Sequence, residues 1–70
     1  METSVAITIN GESREAPQGA TVADLLLQLN LSTGRVAIER NLEILPRPQW
    51  NLTAVQPGDR YEIVHFVGGG

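Results

Sequence analysis

The chain has 70 residues, enough for one domain, and it contains no cysteine, which excludes disulfides, thiolate metal sites and a thiol nucleophile. Its formal net charge of −3 argues against nucleic acid as a partner, because phosphates would repel an acidic surface. The same charge favours a protein partner with a basic docking face.

The sequence also argues against secretion and membrane insertion. Its start lacks the basic residues and the apolar stretch of a signal peptide. The longest interior apolar run is the Leu-Leu-Leu segment at 25–27, which is too short to cross a membrane. We therefore expect a soluble, cytoplasmic protein.

The first segment has the pattern of a hairpin. Val5, Ile7 and Ile9 alternate with small or polar residues, as in a strand with one buried face. The Asn-Gly pair at 10–11 indicates a tight turn, because both residues tolerate positive φ. The polar segment 12–16 should then return as an edge strand.

A helix is predicted next. Thr21 offers an N-cap hydroxyl and Asp24 follows three residues later, close to a capping box with Asp in place of Glu. Apolar residues then recur at the spacing of one helical face, at Val22, Leu25, Leu26 and Leu29. The helix should span residues 22–29 and end near Asn30, with a loop at 32–34.

Two further strands are expected after this loop. Val36 and Ile38 lie on one face of a third strand, and a short fourth strand is expected around residues 43–45. Two prolines follow and prevent regular pairing, so residues 48–50 are expected to form a single 3-10-like turn.

The last strand follows a turn. Residues 56–59, Gln-Pro-Gly-Asp, place Pro and Gly where a β-turn favours them, and residues 60–67 are rich in strong strand formers.

The element order fits an α+β, β-grasp fold, a mixed sheet of four to five strands with one main helix packed across it and the last strand in the middle. Other α+β meanders fit the same order. We expect one domain over 1–67 and a flexible tail over 68–70.

No set of catalytic residues stands out in the sequence. There is no cysteine, and the one histidine, His65, lacks an obvious serine partner for nucleophilic chemistry. No helix follows the final glycines, so they do not form a phosphate-binding loop. We predict that the chain is not an enzyme by itself and binds neither a cofactor nor a metal.

The end of the chain is its most informative feature. Three glycines precede a terminal carboxylate, and glycine loses more backbone entropy on ordering than any other residue. Residues 67–70 can reach roughly 13–14 Å when extended. Glycines have no Cβ, so this segment could thread a narrow tunnel and place the carboxylate of Gly70 inside a partner. A carboxylate needs activation, most simply as an acyl-adenylate formed from ATP.

Alternation in the last strand predicts a docking strip beside this tail. If Tyr61 and Ile63 face the helix, Glu62, Val64 and Phe66 face the opposite side of the sheet. Single exposed apolar residues are common, but two in line next to the tail favour a partner-binding surface.

The whole chain resembles the sulfur carrier proteins of thiamin biosynthesis, which are small ubiquitin-like proteins. The resemblance is carried by the segments "NGE", "TVADLLLQL", "VAIERNLEILPRPQW" and "QPGDRYEIVHFVGGG". The last two segments are the specific part, because they join an "ERN" turn and a Gly-Asp turn to a strand that ends in glycines.

This resemblance implies a function. In that family a ubiquitin-activating-type adenylating enzyme uses ATP to activate the terminal carboxylate. A cysteine desulfurase or another persulfide donor system then converts it to a thiocarboxylate, from which thiazole synthase takes the sulfur. By this resemblance Gly70 carries the sulfur, and Gly68 and Gly69 form the arm that enters the partner, although Gly68 is an extra glycine that only some members share.

Three other functions fit the same residues. A carrier for molybdopterin synthesis would share the chemistry, but such carriers are usually somewhat longer and end in a proline-containing strand, unlike "VHFVGGG". A ubiquitin-like modifier would join its terminus to lysines of target proteins. A β-grasp interaction module would use the sheet and leave the glycines without a role.

Overall fold

The computed structural model describes residues 3–29 and 35–66. Within them the chain forms five strands, one α-helix and a 3-10 helix: β1 Ser4–Ile9, β2 Glu12–Pro17, α1 Val22–Gln28, β3 Val36–Arg40, β4 Glu43–Ile44, the 3-10 helix Arg47–Leu52 and β5 Arg60–His65. The strands lie in the order β2-β1-β5-β3-β4. β5 is parallel to β1 and antiparallel to β3, so the last strand lies in the middle of a mixed sheet. This is the predicted β-grasp arrangement.

The first hairpin is closed by the predicted Asn-Gly turn. Asn10 and Gly11 have φ angles of 51° and 83°, and positive φ at both positions is what a type I′ turn requires. β1 and β2 then pair residue for residue, from Ser4 opposite Pro17 to Ile9 opposite Glu12. β2 lies at the edge of the sheet and is mostly exposed, as predicted.

The helix begins with a complete capping box. The Thr21 hydroxyl accepts from the Asp24 backbone N–H at 3.2 Å, and the Asp24 carboxylate accepts from the Thr21 N–H at 3.0 Å. α1 ends at Gln28 with Leu29 as its C-cap, close to the predicted end. The predicted end near Asn30 and the loop at 32–34 lie outside the described residues.

The hydrophobic core lies between α1 and one face of the sheet, where apolar side chains leave water. Its buried members are Val5, Ile7, Ile9, Ala16, Val22, Leu25, Leu26, Val36, Ile38, Trp50, Val55 and Tyr61. Trp50 comes from the 3-10 helix, and its indole N–H donates to the Leu45 carbonyl at 2.9 Å. This helix is six residues long, so the prediction of a single turn at 48–50 was too short.

The last strand was predicted too long. β5 spans six residues, Arg60–His65, whereas the prediction ran over 60–67, and Phe66 already lies beyond the strand while residue 67 is outside the described residues. The Phe66 backbone N–H still donates to the Arg35 carbonyl at 2.8 Å, so contact with the β3 side continues one residue further. The strand starts from the predicted turn, in which Gly58 has a φ of 83° and the Asp59 N–H donates to the Gln56 carbonyl at 3.1 Å.

The predicted tail, residues 68–70, lies outside the described residues. Over residues 3–29 and 35–66, the helices are too short or too polar to cross a bilayer.

Candidate docking face

The predicted docking residues Glu62, Val64 and Phe66 are all exposed on the side of the sheet away from α1. Tyr61 is buried and Ile63 packs against the core, so the predicted alternation along the strand is confirmed. Val64 is 53% exposed and Phe66 is 55% exposed. These are large exposed apolar surfaces for a central strand and the residue that directly follows it.

Neighbouring strands extend this surface. Val64 lies directly opposite Ala37 on β3, and Glu62 lies opposite Glu39, which in turn faces Ile44 on β4. Residues directly opposite each other share a face of the sheet. We call this surface the open face, defined by Ala37, Glu39, Ile44, Glu62, Val64 and Phe66.

Ile44 was not predicted as part of this surface. It is 68% exposed, and its neighbour Leu45 packs against the core instead. The sequence placed both in a short strand, which has too few residues for alternation to show which of the two faces the core. The open face therefore has apolar side chains on both sides of its two glutamates.

The two glutamates form an unfavourable pair within the free chain. Glu39 and Glu62 lie directly opposite each other on adjacent strands, and like charges in that position destabilise a sheet. A cationic group on a partner would relieve this repulsion, in agreement with the net charge of −3. The open face thus combines apolar contact area with a preference for a basic partner.

A buried carboxylate fixes the start of β5. Asp59 is 5% exposed, and it accepts hydrogen bonds from the Gln56 backbone N–H at 2.9 Å and the Tyr61 hydroxyl at 2.8 Å. It also accepts from Arg40 Nε at 3.1 Å and from Asn41 Nδ2 at 3.2 Å. The group joins the turn before β5 to the end of β3 and its hairpin.

These contacts shift the pKa values of Asp59 and Tyr61 in opposite directions. Burial alone would raise the pKa of Asp59, but the four donors outweigh burial and hold that pKa below its ordinary value. Burial, together with the hydrogen bond to Asp59, raises the pKa of Tyr61 to about 12. Both groups therefore keep their neutral-pH charge states in the fold. This role of Asp59 was not predicted, although the Asp-Arg-Tyr spacing at 59–61 places the Asp59 and Tyr61 side chains on one face.

A side-chain amide fixes the middle of β5. Asn10 Oδ1 accepts from the Ile63 N–H at 2.8 Å, and Asn10 Nδ2 donates to the Ile63 carbonyl at 3.2 Å. The Asn10 backbone N–H donates to the Tyr61 carbonyl at 2.8 Å. β1 ends at Ile9, so the Asn10 amide makes the hydrogen bonds to β5 that one more paired residue of β1 would make. Because Val64 directly follows Ile63, this contact also fixes the position of Val64.

The remaining predicted site residues, Gly68, Gly69 and Gly70, lie outside the described residues. A metal site is not formed by the part of the chain that is described, where no three His, Asp or Glu side chains lie close enough to share an ion.

Known proteins resemble this chain both in fold and in sequence, and the sequence similarity extends to the end of the chain. The profile of the ThiS family matches residues 7–70. The chain belongs to the ThiS family. The sulfur carrier protein ThiS of Escherichia coli is 34% identical over 64 residues, which cover 91% of this chain and 97% of that protein. The crystal structure of the thiamine biosynthesis protein ThiS from Geobacter metallireducens superposes with a TM-score of 0.80 at 32% identity, covering 94% of this chain and 100% of the other.

Two further relatives are much longer than this chain. The thiazole synthase of Paramagnetospirillum magneticum is 47% identical over 64 residues, and that of Magnetococcus marinus is 39% identical over 64 residues. In both cases the match covers 91% of this chain but 20% of the relative. The chain thus spans about a fifth of the length of these relatives, in which a similar segment is part of a longer polypeptide.

Proposed function

We propose that this protein is a sulfur carrier in thiamin biosynthesis and that the terminal carboxylate of Gly70 carries the sulfur. The observation that supports this most strongly is the ThiS family match, which runs through the final glycines to residue 70. The sulfur carrier of Escherichia coli matches over 97% of its own length, so the similarity extends over a complete carrier.

The proposed chemistry has three steps. The Gly70 carboxylate attacks the α-phosphorus of ATP on an adenylating enzyme, and pyrophosphate leaves to give an acyl-adenylate. A persulfide from a cysteine desulfurase or another donor system attacks the acyl carbon, and AMP leaves. A thiol of the donor system then cleaves the resulting acyl disulfide and releases the thiocarboxylate, which gives its sulfur to thiazole synthase. ATP is a substrate of the partner rather than a cofactor of this chain.

The two long relatives support thiazole synthase as a partner. Each is named a thiazole synthase and includes a segment similar to this chain in the same polypeptide. Covalent linkage raises the effective concentration of one module at another, which suits a donor and its acceptor. If this protein and thiazole synthase are separate polypeptides, they would have to bind each other through the surface of the folded domain.

The geometry of β5 supports a division of tasks between the folded body and the tail. Asp59 fixes the start of the strand, Asn10 fixes its middle, and the open face follows at Val64 and Phe66. The residues of the proposed reactive end come directly after Phe66 in the chain. A partner that binds the open face would therefore hold the segment that leads to Gly70.

Composition fits this chemistry as well. The chain contains neither cysteine nor lysine, since all five basic residues are arginines. A thiol or an amine near the activated terminus could attack the acyl-adenylate and end the cycle as a thioester or an amide. Introducing cysteine or lysine at the exposed position Glu62 should therefore produce such side products during activation.

Pyrophosphate exchange with the adenylating enzyme of the same organism tests the proposal. The full chain should support exchange of pyrophosphate into ATP, and a variant lacking Gly70 should not. Gly69→Val should keep its fold but lose transfer, because a side chain would obstruct a narrow tunnel. Equal exchange by the chain without Gly70 would contradict the proposed role of the terminus. Thiazole formation with thiazole synthase then distinguishes a sulfur carrier for thiamin synthesis from a carrier for molybdopterin synthesis and from a protein modifier.

A further inference from the structure

A cleft of about 350 Å³ opens beside β5, on the side of the sheet that carries α1. It is lined by Ile9, Asn10, Arg14, Leu29, Ile63 and His65. The cleft exists because β1 ends at Ile9, whereas its parallel neighbour β5 continues to His65. Leu29, the C-cap of α1, lines the cleft at this corner of the sheet.

The edge of β5 in this cleft offers backbone hydrogen-bonding groups. Along β5 the groups of Tyr61 and Ile63 point towards β1, as their bonds with Asn10 show. His65 is the next residue in this alternation, so its N–H and C=O point towards the cleft. Pairing with β1 stops at Tyr61 and the Asn10 amide extends it to Ile63, so among residues 3–29 and 35–66 the contacts from the β1 side end before His65.

The walls of the cleft combine an apolar floor with a cationic rim. Ile9 is buried, and Ile63 and Leu29 are half-buried and pack against the core. Arg14 stands on the rim with its side chain 46% exposed. Its ion pair with the exposed Glu12 measures 3.5 Å, and exposed pairs of this kind contribute little free energy. Arg14 is therefore available to a better carboxylate.

We propose that this cleft receives an extended acidic segment of thiazole synthase, whose backbone pairs with His65 and whose glutamate reaches Arg14. An exposed strand edge accepts an added strand through main-chain hydrogen bonds, and pockets for side chains then supply specificity. The methylenes of a glutamate suit the floor at Ile63 and Leu29, and its carboxylate can form two parallel bonds with a guanidinium. This inference rests on the proposed function.

Charge and position favour this occupant over others. A lysine or arginine would be repelled by Arg14, and an apolar side chain would leave the guanidinium without a new partner. His65 lies five residues before Gly70, so a strand added there would also direct the last residues towards the active site of thiazole synthase. The cleft and the open face lie on opposite sides of the sheet, so this contact would be additional to docking on the open face.

Calorimetric titration of the full chain with thiazole synthase from the same organism tests this inference. Arg14→Gln should weaken binding at least fivefold, because the partner carboxylate loses its guanidinium. Glu12→Gln removes the same intramolecular ion pair but keeps Arg14 free, so it should bind as tightly as the parent or up to threefold more tightly. Parent-like binding by Arg14→Gln, or equal weakening by both variants, would overturn the proposal.

Hydrogen exchange in the same complex provides a readout of the strand pairing. The backbone amide of His65 should exchange at least tenfold more slowly when thiazole synthase is bound, and unchanged exchange would overturn the pairing. The two proposals fail differently. If the parent chain binds and supports thiazole formation but Arg14→Gln does the same, only the cleft proposal fails. If the parent chain does not bind thiazole synthase, the proposed partner is wrong and the cleft proposal falls with it.

Discussion

Alternate side chains along β5 and Phe66, the residue that follows it, lie in two different environments. Towards α1, Tyr61 is buried and Ile63 packs against the core, whereas Val64 and Phe66 on the open face remain more than half exposed. One strand therefore contributes to the stability of the fold with one set of side chains and presents apolar surface with the other. Substitutions on the α1 side should change the free energy of unfolding, and substitutions on the open face should change partner binding.

The largest loss of stability is expected from Leu26→Ala. The Leu26 side chain is fully buried, so its truncation should leave a cavity and lower the free energy of unfolding by about 2–5 kcal/mol. Leu27→Ala is the matched control, because Leu27 is 71% exposed on the same helix and should change stability by no more than about 0.5 kcal/mol. Urea unfolding followed by circular dichroism measures both, and similar losses would show that α1 does not pack on the sheet as described.

Asp59→Ala should lower the free energy of unfolding by about 2–3 kcal/mol, because it leaves the buried Tyr61 hydroxyl and the Gln56 N–H without an acceptor. Glu62→Ala is the control, because Glu62 directly follows Tyr61 in β5 but lies on the open face. It should be neutral or slightly stabilising, since it relieves the repulsion with Glu39.

The effect of Asp59→Ala should also depend on pH. The pKa of Asp59 is lowered in the folded chain, so its contribution is complete above the pKa of the unfolded chain. That contribution is lost as pH falls through the folded pKa. The stabilities of the parent and Asp59→Ala should therefore converge in acid, and a constant difference down to low pH would contradict the assignment.

Val64→Asp should weaken binding to the adenylating enzyme or to thiazole synthase at least tenfold, which corresponds to about 1.4 kcal/mol. Thr8→Asp is the matched control, because Thr8 lies on β1, alternates with the buried Ile7 and Ile9, and so faces the same side of the sheet. Each variant should keep a cooperative unfolding transition. Equal effects of the two changes on binding would indicate that the exposure of Val64 has no role in docking.

The smallest effect concerns the second hairpin turn. Asn10 and Asn41 both have a φ of 51°, but the next residue is Gly11 at 83° in one turn and Leu42 at 72° in the other. A side chain in this left-handed region costs roughly 1–2 kcal/mol. Leu42→Gly should therefore raise the free energy of unfolding by up to about 1 kcal/mol, after the entropy that glycine adds to the unfolded chain. A lower melting temperature for this variant would contradict the expected strain.

Local signals in the sequence were sufficient for most of the elements. The capping residues Thr21 and Asp24 located the helix start, and the Asn-Gly pair at 10–11 located the first turn. The length of the 3-10 helix and the end of β5 were predicted less well, because prolines and strand formers show where pairing is possible but not where tertiary contacts stop. The strand order was inferred from the order of the elements, which periodicity supports only weakly because other α+β meanders fit the same order.

Contacts distant in sequence could not be predicted in this way. Asn10 was interpreted only as a turn residue, yet its amide bonds to Ile63, which lies 53 positions away. Asp59 was likewise interpreted as part of a turn, although Arg40 and Asn41, 19 and 18 positions away in the sequence, bind it from the end of the neighbouring strand β3. Each residue satisfies a local requirement and a tertiary one, and only the local requirement leaves a pattern in the sequence.

The candidate site was predicted in part. Alternation placed Glu62, Val64 and Phe66 on one face correctly, while Ile44 was missed because β4 has two residues and shows too little alternation. The roles of these residues in binding remain predictions, and those of the final glycines rest on the sequence and on the family match.

The central claim is that Gly70 carries sulfur, and intact-mass spectrometry of the protein purified from its own host tests it most directly. With its adenylating enzyme and a persulfide donor present, part of the protein should gain the mass difference between one sulfur and one oxygen atom. Fragmentation should locate this gain at the C-terminal residue, and it should disappear in cells that lack the adenylating enzyme. A terminus that stays an unmodified carboxylate while both enzymes are active would contradict the account.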